Sequence, residues 1–150
     1  MDLKAVLLST VRGQRQRTRA TVAAMADSDM AYRPAAEQMD FGTQALHILS
    51  AWATLMGALS GQGWVWDQGM TREKYPTQEA ILKLYDEESA RLYAFLEGLD
   101  PEELAREVET PWGKKAPAFA LLLDWVAHEC HHRGQMVAYL RCKGMKPPEY

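Results

Sequence analysis

From Pro117 to Lys143 the chain has no internal proline and repeats its apolar residues at helical spacing, until Gly144 and Pro147-Pro148 supply a stop. Leu121, Leu122, Trp125, Met136, Tyr139 and Leu140 fall on one face of that helix. A long helix with one apolar face must bury it against comparable partners, and the rest of the sequence supplies them. A first helix is expected from about Asp2 to Ala24, with Val6, Leu7, Val11 and Val22 inward. Tyr32-Arg33-Pro34 then breaks the helix, because the residue before proline avoids helical backbone. Asp40 reads as the N-cap of a second helix carrying Leu46, Leu49, Trp52, Leu55, Met56 and Leu59. Gly61, Gly63 and Gly69 mark a loop through Trp64 and Trp66, and Pro76-Thr77 opens a third helix that runs through Leu96.

Asp100-Pro101-Glu102-Glu103 combines a capping acid, proline at the first helical position and Glu three residues after the cap, which starts a short helical turn. Thr110-Pro111-Trp112-Gly113 is a turn. No alternating strand pattern is visible. Four long amphipathic helices therefore predict an all-α fold, a four-helix bundle occupying residues 1–150 as one domain. The connections run to roughly 15–20 residues, long enough to cross the bundle, so parallel neighbours are allowed.

Composition narrows the function. Lys+Arg number 17 against 20 Asp+Glu, a formal charge of −3, which argues against nucleic acid as a partner. Arg12, Arg15 and Arg19 share a helix face, expected to be solvated. Cys130 and Cys142 stand roughly 18 Å apart along one helix, too far for a mutual disulfide, as in a reduced cytoplasmic chain. The amino terminus lacks a basic segment followed by a long apolar one, and the stretch from Ala118 to Leu123 is stopped by Asp124. No membrane span is expected.

The histidines carry the functional signal. His128 and His132 lie four apart on the final helix, one turn from each other on the side of its apolar face. His131 points away from that face. His47, in the apolar second helix, is the remaining histidine able to meet the pair. Three neutral imidazoles from two helices suit a divalent transition ion, zinc or nickel, at roughly 2.0–2.1 Å with coordination positions left open. His128-Glu129-Cys130-His131-His132 also reads H-E-x-x-H, in which Glu129 would be the general base of a zinc peptidase. That alternative lacks the extended motif, since Gln135 and Ala138 occupy its later positions. Glu129 also precedes Arg133 by four residues, the favourable order for a helix ion pair.

His128 followed by His132-Arg133-Gly134-Gln135, with a histidine in the second helix, resembles the DinB-like (YfiT-like) family of metalloenzymes. Tyr32-Arg33-Pro34, Ala45-Leu46-His47 and Gly144-Met145-Lys146-Pro147-Pro148 fit the same pattern, and the resemblance covers the whole chain. It implies a four-helix bundle with a long crossover, a homodimer, and His47, His128 and His132 as the metal ligands. It also implies a metal-dependent enzyme acting on a small-molecule substrate, either a hydrolase or a transferase of low-molecular-weight thiols such as bacillithiol. A non-catalytic, metal-binding stress-response protein is the competing expectation. A three-histidine ion acidifies bound water and can equally bind a thiol as thiolate, so the ligands do not choose between reactions. Trp125, one turn before His128, is the best candidate for a pocket wall among the five tryptophans. Arg133 and Gln135 are candidates for substrate contact, and Cys130 is expected to be inert.

Overall fold

The computed structural model describes residues 2–149. Four long helices, α1 (Leu3–Ala24), α2 (Phe41–Leu59), α3 (Gln78–Gly98) and α5 (Ala118–Cys142), are joined by a short α4 (Pro101–Ala105) and two strands, β1 (Glu107–Glu109) and β2 (Lys115–Pro117). The helix starts are set by side chains that the sequence marks. Asp2, Asp40 and Thr77 accept hydrogen bonds from the backbone N–H groups of Ala5, Thr43 and Ala80. Such a cap contributes about 1 kcal/mol by satisfying a donor that the helix leaves unpaired. Asp100 and Glu103 close a reciprocal capping box at α4.

A small two-stranded ribbon accompanies the helices. Glu107, Val108 and Glu109 face Pro117, Ala116 and Lys115 in an antiparallel ribbon. Three residues per strand are too few to show an alternation in sequence, and only Val108 turns into the core. The expected turn over Thr110–Gly113 closes this ribbon, with Gly113 at φ 76°, a conformation that favours glycine. The ribbon also delivers the chain to α5, since the Ala118 N–H donates to the Arg106 carbonyl at 2.9 Å. That helix consequently begins just after Pro117.

Side-chain pairings define the topology. Lys4 reaches the Glu97 and Leu99 carbonyls, Arg15 reaches Ser89, and Arg19 reaches Asp86, so α1 and α3 are antiparallel. Cys130 meets Gln14 and Arg133 meets Thr18, which makes α5 parallel to α1. Gln44 meets Gln135, and Trp125 donates to the Ala51 carbonyl, so α2 and α5 are antiparallel. The neighbours α2 and α3 are therefore parallel, and the segment from Ser60 to Thr77 crosses the bundle to connect them. Both α1 and α2 pack against α3 and α5. The core is densest around α2, where Phe41, Ala45, Ile48, Leu49 and Leu55 are fully buried.

The arginine row on α1 runs along α3, which presents acids opposite it. Arg12 and Arg19 stay solvated, as expected, and Arg15 departs from that expectation. Arg12 pairs with Glu97 at 2.5 Å, and Arg19 holds Asp86 through two hydrogen bonds of 2.6 and 2.7 Å. Arg15 between them is only 1% exposed. Its Nε and Nη2 donate to Ser89 Oγ at 3.0 and 2.8 Å, and its Nη1 stands 3.7 Å from the Glu129 carboxylate. The guanidinium lies 3.9 Å from the centre of the Tyr85 ring, a cation–π contact inside the core. No helix among the described residues is long and apolar enough to cross a membrane.

Candidate metal centre

The antiparallel packing of α2 on α5 brings His47 against His128 and His132. The Nε2 atoms of His47 and His128 are 3.1 Å apart, as are those of His128 and His132. One ligand atom from each ring lies within 4.8 Å of the others. Two nitrogens bound to one ion at ~2.05 Å stand about 2.9 Å apart at a right angle and about 3.3 Å apart at the tetrahedral angle. The His47–His128 and His128–His132 spacings fall between these values and the third pair lies within 4.8 Å, so the donor set can close on a divalent ion.

Protonation fits as well. Burial, then the neighbouring imidazoles, pull His128 and His132 from 6.5 down to about 4. Burial also lowers His47. At neutral pH the three rings are therefore uncharged, which is the metal-binding form. The tautomer of His132 is fixed from behind. Its Nδ1–H faces the side-chain oxygens of Gln44 at 2.6 Å and Gln135 at 3.1 Å, so the lone pair resides on Nε2. Gln44 Nε2 donates to Gln135 Oε1 at 2.8 Å, which locks the two amides together.

Gln44 was not singled out in the sequence. Its signal is a polar residue in an otherwise apolar helix, one turn before His47. Gln135 also contacts His131 at 3.1 Å, and His131 itself is exposed.

Beside the imidazoles a cleft of about 570 Å³ opens between α2, α5 and the loops. His47 and His128 form one end of it, and Trp66, Trp112 and Trp125 form walls. Trp125 is held by its N–H to the Ala51 carbonyl at 2.6 Å, and its ring centre is 6.4 Å from that of His128.

The remaining candidates lie elsewhere. Glu129 follows His128 in sequence but turns into the core, where Trp52 Nε1 donates to it at 2.7 Å and the Tyr85 hydroxyl at 2.8 Å. Burial pushes the Tyr85 phenol well above its ordinary value, so it stays a donor. The cation facing the Glu129 carboxylate from α1 is Arg15, a partner that helix spacing within α5 did not suggest. Arg133 reaches across to α1, donating to the Gln14 carbonyl at 3.3 Å and to Thr18 at 3.4 Å. Cys130 is half-buried, its thiol 3.3 Å from the Gln14 side chain.

Bundle and site together define a class: helical proteins with three converging imidazoles between two antiparallel helices and an aromatic cleft alongside. The chain belongs to the DinB family, whose profile matches residues 1–150. It is 29% identical over 115 residues to YjoA of Bacillus subtilis strain 168, covering 75% of this chain and 73% of that one. The crystal structure of that DinB-like protein superposes with a TM-score of 0.79 at 23% identity, over 96% of this chain and 95% of the other. YfiT of Bacillus subtilis, a probable metal-dependent hydrolase with an unusual four-helix bundle topology, matches at TM-score 0.72 and 18% identity. That match covers 94% of this chain and 87% of YfiT. A mycothiol-dependent maleylpyruvate isomerase matches at 0.71 and 16%, over 91% of this chain and 61% of its own. At these identities the likeness to solved structures is one of fold.

Proposed function

We propose that this chain is a divalent-metal-dependent enzyme with its ion at His47, His128 and His132, transferring a low-molecular-weight thiol or hydrolysing a small substrate. The observation that carries this is the convergence of three uncharged imidazoles at 3.1 Å spacings at one end of a cleft. A thiol-dependent isomerase and a probable hydrolase on the same fold support both chemistries. Bound there, zinc or nickel supplies Lewis acidity, acidifying a thiol or a water at its open positions. Gln44 and Gln135 hold His132 in one tautomer and orientation, which saves reorganisation when a ligand binds. Trp125 shields one side of the reacting region from solvent and offers a flat surface to a substrate.

We assign Glu129 to the core, because both its oxygens accept hydrogen bonds from buried donors. A peptidase would need that carboxylate facing the ion. Arg133 is engaged with α1, and we give it no role in substrate binding. A homodimer and a cytoplasmic location accompany this proposal, the latter consistent with two free cysteines.

The test is elemental analysis of purified protein, then turnover of an electrophile with bacillithiol, mycothiol or glutathione, and of simple esters and amides. Bound metal with turnover that His47→Ala abolishes is expected. Bound metal without turnover on any of these would favour a stress-response protein that uses the ion for stability. Casein cleavage lost in Glu129→Gln would restore the peptidase alternative.

A further inference from the structure

The walls of the cleft have a chemistry that its ligands must match. Trp66 and Trp112 are 56% and 55% exposed, although large aromatic side chains are normally covered. They are not loosely placed. Trp64 lies behind them, its ring centre 5.9 Å from Trp66, 6.1 Å from Trp112 and 5.6 Å from Trp125. Trp64 is in turn tied by its N–H to the Glu109 carbonyl of the ribbon at 2.9 Å. The loop after α2, the turn of the ribbon and α5 thus present three indoles around one space.

The charges lining that space are one-sided. No Lys or Arg among the described residues lines it, and its one carboxylate is Asp124. Asp124 is exposed, one turn before His128 on α5 and next to Trp125. An aromatic cage attracts cations through the negative faces of its rings, and a carboxylate at the same place adds to that field.

We propose that the cleft takes a small organic cation, with a flat apolar body between Trp66, Trp112 and Trp125 and an ammonium-type group at Asp124. The proposal rests on the cleft beside the imidazoles being the substrate site. Apart from the ion at the histidines, a dicarboxylate ligand finds no counter-charge on these walls.

Three probes of one shape test this on the metal-loaded protein by ligand-observed NMR and calorimetry: phenethylamine, 2-phenylethanol and 3-phenylpropionate. The amine should bind about threefold to tenfold tighter than the alcohol, the size of an exposed cation–π contact plus one ion pair. Asp124→Asn should remove most of that difference while leaving the alcohol unchanged. Trp112→Ala should weaken amine and alcohol alike. The series is repeated in His47→Ala, where the carboxylate has no three-histidine ion to ligate.

Carboxylate binding as tight as amine binding in His47→Ala would overturn the proposal, as would an amine preference that Asp124→Asn leaves undiminished. Metal content separates this outcome from failure of the metal site itself. A protein without bound metal that still ranks the probes amine first keeps the cation cleft and loses the enzyme.

Discussion

Two polar clusters occupy the interior of this bundle, and consecutive residues of α5 supply them: His128 to one and Glu129 to the other. The Arg15 cluster pairs opposites. A guanidinium and a carboxylate, each 1% exposed, are enclosed with Ser89, Tyr85 and Trp52, which donate to or accept from them. The imidazole cluster gathers likes. Three nitrogen donors point at one another from α2 and α5, with two amides behind and a cleft in front. A buried charge is tolerated when it is paired and hydrogen-bonded, and the first cluster meets those terms except at Arg15 Nη1, which has no hydrogen-bond partner and faces the Glu129 carboxylate at 3.7 Å. Converging lone pairs are stabilised by an external cation, and the second cluster is open to one. Structure and chemistry thus separate within a single turn of helix.

Six substitutions distinguish the two clusters. Removing one partner of the closed cluster should cost most. Arg15→Met leaves the enclosed Glu129 without its facing cation, and urea denaturation should show a loss of about 3–5 kcal/mol. Arg15→Met combined with Glu129→Leu should recover most of it; if the double variant is as unstable as the single, the cluster is not closed by charge pairing. The open cluster should respond to metal instead. Zinc at a hundredfold excess over its Kd should add about 2.7 kcal/mol of stability to the native chain and almost nothing to His47→Ala. Arg15→Met should keep that increment, because its cluster is separate.

A smaller effect is expected behind the ligands. Gln44→Ala should weaken zinc about 10–100-fold by competition titration, and Gln135→Ala less, since Gln44 holds the shorter bond to His132. The smallest belongs to the surface. Arg19→Ala breaks the exposed pair with Asp86 and should cost about 0.2–1 kcal/mol, fading as salt rises. A loss comparable to that of Arg15→Met would erase the distinction between buried and exposed arginines on α1.

The four long helices were legible because each carries several turns of apolar spacing; Asp2, Asp40, Thr77 and Asp100 cap α1 to α4, whereas α5 starts after Pro117 without a side-chain cap. The convergence of His47, His128 and His132 was legible because i,i+4 spacing fixes two of them on one face, leaving His47 to meet them. What escaped depended on contacts between distant segments. Three-residue strands show no period, so Val108 paired with Ala116 was invisible. Arg15 looks like its neighbours Arg12 and Arg19 until α3 and α5 enclose it. Glu129 was read with Arg133, the partner that local spacing offers, whereas the fold supplies Arg15, Tyr85 and Trp52 from three other helices. Gln44 becomes meaningful once α5 lies across α2. The tryptophans from the loop, the turn and α5 form one wall through the fold alone.

On this reading His47, His128 and His132 bind one divalent ion. Elemental analysis by inductively coupled plasma mass spectrometry tests it most directly, on native chain and His47→Ala purified identically and dialysed against metal-free buffer. Close to one zinc or nickel per native chain is expected, and essentially none in a folded His47→Ala. A native chain that carries no transition metal and takes up none on titration would contradict it, as would a His47→Ala protein that retains the full complement.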